Sequence, residues 1–184
     1  MRQRGISLVE LIMFIMIVSV ALAGILLVMN TVTRGSADPI VHKQALAIAE
    51  SMLEEVELMP FTFCDPDDAN AGTALAAAGA CAVAANEESA VIGPENDVSR
   101  YDLNFPFDNV SDYHGFGMAA GSIMDITNSN TGLSGYTLAP IVVAPVVLPG
   151  VAANDALLVT VTVTGPDGLP VAVDGIRTRY SPRM

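Results

Sequence analysis

The chain has 184 residues, 52% of them hydrophobic, with eight Lys and Arg against 20 Asp and Glu and a formal net charge of −12. Between Lys43 and Arg177 the only basic residue is Arg100, which argues against nucleic acid as a partner, because neutralising phosphates takes clustered Lys and Arg. Roughly 150 residues follow the first apolar run, enough for one modest domain with its own core.

A short leader carrying Arg2 and Arg4 ends in Gly5. Beyond it comes one acid, Glu10, and then no charge until Arg34; Leu11 to Met29 is apolar apart from Ser19 and Gly24. As a helix this run is long enough to cross a bilayer, which takes about 20 such residues. The leader's arginines would stay cytoplasmic and place the C-terminal bulk outside. A carboxylate in hydrocarbon costs about 2.5–3.5 kcal/mol, so Glu10 requires compensation. Two plainer readings compete: a secretory signal with Ala21-Leu22-Ala23 as its cleavage site, and a signal anchor with Glu10 at the headgroups. Against the first, Glu10 interrupts the apolar region, which also continues past that site as Ile25 to Met29.

Gly5 closing a basic leader, apolar Ile6 after it, and Glu10 five residues beyond the glycine resemble the type IV prepilin signal of type IV pilins and type II secretion pseudopilins. Ile6 is a mild departure, since Phe is commoner there. The resemblance implies that a prepilin peptidase cuts between Gly5 and Ile6 and methylates the new amine. It further implies that Glu10 attracts the N-terminal amine of a neighbouring subunit in a filament, where a buried ion pair offsets the desolvation of a lone carboxylate. The implied life history is a bacterial inner-membrane precursor, N-terminus cytoplasmic and head periplasmic, that later enters a pilus or pseudopilus. The implied partners are other pilin or pseudopilin subunits, the peptidase, an inner-membrane assembly platform and membrane lipid; no cofactor is implied.

After the span, Thr31 to Asp38 loses the apolar run, and Asp38 before Pro39 can cap a new helix, so a kink or brief break is expected there. From Ile40 to Met59 the period is helical. Val41, Ala45, Ile48, Met52, Val56 and Met59 form one stripe, with Lys43, Glu50, Glu54 and Glu57 opposite. Leu46, Ala49 and Leu53 form a flanking strip. Two strips suit a spine packed by its own domain on one side and by neighbours on the other; one broad core-facing stripe accounts for them equally well. Pro60 ends the helix.

Phe61 to Asn96 is irregular, with CDPDDAN, an Ala-rich run from Ala69 to Ala85 that predicts a short helix interrupted by Gly72 and Gly79, and then Pro94. Cys64 and Cys81, in an oxidising compartment, are expected to bridge, closing a loop worth about 3 kcal/mol in the chain-entropy view. Val98 to Gly121 mixes aromatic residues with turn formers and reads as surface loop. The final third is β-rich. Tyr136 to Val147 carries Pro140 and Pro145, suiting a bent or edge strand. Leu157, Val159, Val161 and Val163 share one face of a clean alternation, Gly165 to Gly168 is a turn, and Leu169 to Arg179 returns. The expected fold class is α+β, a long N-terminal helix spine packed on a C-terminal antiparallel sheet, which is also the architecture the prepilin resemblance implies. Its expected division is a leader at 1–5, a membrane half at 6–32, and a head at 33–184 that includes an amphipathic helix at 39–59.

Few constellations suggest chemistry. Asp65, Asp67, Asp68 and Asn70 offer oxygens of the kind calcium accepts, but the EF-hand pattern is incomplete and a solvated acidic turn without metal is expected. Pseudopilins that bind calcium do so near the C-terminal end, so position lends no support. Asp112, Tyr113 and His114 make neither a zinc set nor a triad. Gly115, Gly117 and Gly121 miss the dinucleotide spacing by one residue, and Ser134 has no nucleophile-elbow context. No enzyme is expected. Finally, ALAIAESMLEEVELMPF followed by CDPDD, and FDNVSDYHGF, are similar to minor pilin-like proteins of mannose-sensitive haemagglutinin-type pili. The resemblance covers about a third of the chain and implies a subunit that primes, caps or adjusts a filament.

Overall fold

A computed structural model describes residues 7–74, 79–88 and 97–179. The chain divides into two units, Met1–Ile40 and Val41–Met184. A single helix, α1 (Leu8–Leu58), contributes to both. The expected break at Asp38 and Pro39 does not occur, and Pro39 lies inside α1. Its missing N–H removes one bond, to the carbonyl of Gly35, a loss that a 51-residue helix accommodates without ending. The stop comes at Leu58, two residues before Pro60, and the Arg177 guanidinium donates to the carbonyl of Met59 at 3.2 Å.

In the second unit both predicted strips of α1 are buried in its own core: Ala45, Met52 and Val56 from one, Ala49 and Leu53 from the other. The single broad stripe is therefore the observed arrangement. Lys43, Glu50 and Glu54 face solvent.

Strand β3 (Ala156–Thr164) is the centre of a four-stranded antiparallel sheet. Strand β4 (Pro170–Thr178) pairs with it along its whole length, from Ala156 opposite Thr178 to Thr164 opposite Pro170. A strand has two edges, so β1 (Thr137–Leu138) and β2 (Val142–Pro145) share the other one. The stretch expected as one bent strand is thus two. Pro140 has no N–H for the ladder, and Ile141 turns its own N–H to the carbonyl of Phe116 at 2.8 Å. Leu157, Val159, Val161 and Val163 are all fully buried, as their alternation predicts. The β3–β4 turn closes through the Gly168 N–H to the Gly165 carbonyl at 3.0 Å, with Gly168 at φ +76°.

Two loop expectations are corrected. Val98 to Gly121 is not a surface loop: Phe107, Val110, Tyr113 and Met118 are core residues, and Val110–Tyr113 forms a 3-10 turn. Phe107, Tyr113 and Phe116 meet edge to face, with centroids 5.2 to 6.3 Å apart. Aromatic residues scattered among turn formers show neither a helical nor a strand period, so burial there leaves no pattern. In the Ala-rich run, the described residues make turns and a three-residue 3-10 helix, Ala84–Asn86, instead of an α-helix.

The α+β arrangement expected from the sequence is therefore present, with the amphipathic part of the helix packed on an antiparallel sheet. Since Leu157 is fully buried in that core, Leu157→Ala should cost about 2–5 kcal/mol. Leu103→Ala, at a side chain 97% exposed, should stay within about 0.5 kcal/mol of wild type. Denaturant unfolding of the two variants side by side checks both.

Candidate functional site

The first candidate is the N-terminal part of α1. Leu8–Asn30 is long and apolar enough to cross a membrane. Its large apolar side chains, among them Leu11, Phe14, Ile17 and Leu26, are exposed all round, which is the surface a lipid-embedded helix presents. The Ser19 hydroxyl donates to the Ile15 carbonyl at 2.7 Å, so it carries no unsatisfied donor into an apolar setting. Glu10 sits in the first turn of α1 and is exposed on this surface. Among the described residues it has no ion-pair partner. Gly5 and Ile6 lie outside the described residues.

The second candidate is the disulfide loop. Cys64 and Cys81 are bonded, as their context predicts. The strands of the loop are tied by the Asp65 N–H to the Asn86 carbonyl and the Glu88 N–H to the Phe63 carbonyl, both at 2.9 Å. Asp68 organises its interior. One carboxylate oxygen accepts the N–H groups of Asn70 at 2.8 Å and Ala82 at 2.9 Å. The other accepts Val83 N–H at 3.1 Å and the Asn86 amide at 3.2 Å. These donors, Ala82 foremost, hold the Asp68 carboxyl below its usual range. Asn70 donates to the Ala80 carbonyl at 2.9 Å.

The four residues singled out from the sequence therefore separate. Asp68 and Asn70 serve the loop. Asp65 and Asp67 instead meet Asp108, with one carboxylate oxygen from each lying within 4.8 Å of the others. Asp108 also belongs to a second trio of the same closeness, with Asp97 and Asp112. Asp112 is 1% exposed. One of its oxygens accepts the N–H groups of Asp108 at 2.9 Å and Asn109 at 2.7 Å. Burial pushes the Asp112 carboxyl up to about 8, with the charge of Glu88 adding to the shift against those two N–H donors. Burial and the charges of Asp65, Asp97 and Asp67 push Asp108 up to about 7. Burial, then Asp65, also raises Asp97.

Sequence reading missed Asp97 and Asp108 and weighed Asp112 only with its neighbours Tyr113 and His114. The available signal was Asp108 and Asp112 four apart inside an aromatic segment. His114 is used structurally, its Nδ1 accepting the Val143 N–H at 3.1 Å. Another buried polar set ties α1 to the loops: Glu55 accepts from Arg100 at 2.5 Å and from the Tyr113 hydroxyl at 2.9 Å.

No protein-family model, curated protein or solved structure matches the chain. What it does is therefore read from its own residues.

Asp108 and Asp112 generate a pH dependence with a definite sign. Their folded pKa values lie above the unfolded carboxylate value near 4. Stability they confer is complete below about pH 4 and is lost as pH rises through 7 and 8. In chelator-containing buffer the thermal midpoint should fall between pH 5 and pH 8.5, and the fall should be shallower in Asp108→Asn. A midpoint series at constant ionic strength measures this.

Proposed function

We propose that this chain is a minor type IV pilin-like subunit, made as an inner-membrane precursor, cleaved after Gly5 and used to prime or adjust a filament. The observation that carries the reading is Glu10, an acid exposed in the first turn of an apolar helix, five residues after Gly5. Within the hydrocarbon of a lone anchor that carboxylate is a cost without return. Beside the free amine of a neighbouring helix it becomes half of an ion pair in a low-dielectric setting, where charges four ångströms apart attract far more strongly than in water. The α+β head on the same helix supports the reading, and the disulfide suits a head outside the cytoplasm. A minor pseudopilin of type II secretion would use the same physics; co-isolation with sheared pili or with secretion components separates the two.

One observation favours a reading from another class, a membrane-anchored adhesin or binding module that never polymerises. Both apolar strips of the head helix are taken up by its own core. Ala45, Ala49, Met52, Leu53 and Val56 are thereby withdrawn from intersubunit packing.

Mass spectrometry of the mature protein should give an N-terminus at Ile6 carrying one added methyl group, and Gly5→Leu should leave the precursor uncut. An intact N-terminus, or one at Gly24, would refute processing. Glu10→Val should insert and be cleaved as well as wild type, because the leader is unchanged and a charge leaves the apolar edge. It should nevertheless be lost from filaments, or lower their number, since stranding the partner's amine costs about 3–5 kcal/mol. Incorporation at the wild-type level, at matched expression, would put the anchored module ahead.

A further inference from the structure

We propose that Asp65, Asp67, Asp97, Asp108 and Asp112 form a binding site for a hard divalent cation of the calcium class, centred on Asp108. The geometry carries it. Two trios of carboxylate oxygens, each within 4.8 Å, share Asp108, which makes that residue the junction of the two sets. Asp112 supplies the independent observation. It is 1% exposed, and while one of its oxygens accepts two backbone N–H groups, the other, Oδ1, is buried without a hydrogen-bond donor among the described residues. Oδ1 of Asp108 is buried in the same condition. Native folds rarely leave buried carboxylate oxygens unpartnered, and an ion is one of the standing explanations.

Among the described residues no Lys or Arg forms an ion pair with these carboxylates; the two ion pairs are Arg100 with Glu55 and Arg179 with Asp155, neither in this cluster. Glu88, buried against Ser111, adds a further acid nearby. The donors are all carboxylate oxygens, which suit hard cations, and they hang on loops and a 3-10 turn, which suits the irregular, many-oxygen shell of calcium better than the strict octahedron of magnesium. Asp68 and Asn70 stay outside because the loop uses their polar groups. The bound ion would clasp the disulfide loop to the Val110–Tyr113 turn. Those two segments already touch just beyond α1, through the Val110 N–H to the Pro60 carbonyl at 3.1 Å and the Asn109 amide to the Thr62 hydroxyl at 3.0 Å. A solvated acidic turn, expected from residues 65–70 alone, would have no such reach.

The test titrates calcium chloride into the full chain in detergent micelles after chelator treatment and dialysis, by calorimetry. Wild type should bind saturably, with Kd at or below about 10⁻³ M, the weak end for extracellular calcium modules. Asp108→Asn should bind at least tenfold more weakly, and Glu50→Gln, on the exposed face of α1, should match wild type. Asp67→Asn guards against a folding defect, because Asp67 is exposed; it should keep the wild-type melting curve without calcium and still bind several-fold more weakly. Absence of saturable heat in wild type overturns the proposal, as does wild-type affinity in both Asp108→Asn and Asp67→Asn.

Discussion

The packing of the α1 face at Ala45, Ala49, Met52, Leu53 and Val56 on the buried face of β3 is the constraint on which the head depends. Two alanines let the sheet come close, and Leu157, Val159, Val161 and Val163 fill the other side. Each large apolar side chain so buried contributes about 1.5–3 kcal/mol, and β3 supplies four in a row of alternate positions. Other elements arrange themselves around that contact. Strand β4 crosses α1 so closely at Gly175 that a Cβ there would meet the side chains of Glu57 and Leu53, which is why this strand position suits glycine.

Polar tethers then fix what the apolar contact leaves loose. Glu55 holds Arg100 and Tyr113, Gln44 accepts from the Tyr136 hydroxyl at 2.8 Å, and Arg177 reaches the Met59 carbonyl. Each links the helix to a segment far away in the chain. The Arg100 guanidinium is desolvated, and removing Glu55 would leave a buried charge without its partner. The same desolvation acts on Asp108 and Asp112, where like charges gather in place of opposite ones.

Much of the fold was legible because it is periodic. The stripe from Val41 to Met59, the alternation in β3 and the Gly165–Gly168 turn are local patterns whose burial follows from geometry of helix and strand. The disulfide followed from compartment and loop context. The segment 98–121 was not legible, because irregular backbone buries Phe107, Tyr113 and Met118 without any period to betray it. The site was half legible for a related reason. Asp65 and Asp67 stood out as close neighbours in sequence, whereas Asp97, Asp108 and Asp112 reach them only when two loops meet past the end of α1.

By itself the sequence determined the apolar helix long enough to span a membrane, the exposed acid in its first turn, and the α+β class, since each depends on composition or on contacts between near neighbours. Tertiary structure alone decided three things. It buried both strips of the head helix in one core, because only the sheet's width sets how broad a stripe is covered. It carried α1 through Pro39, because one missing bond is too little to end a long helix. And it brought four carboxylates from separate segments around Asp108, a coincidence in space that no spacing along the chain encodes.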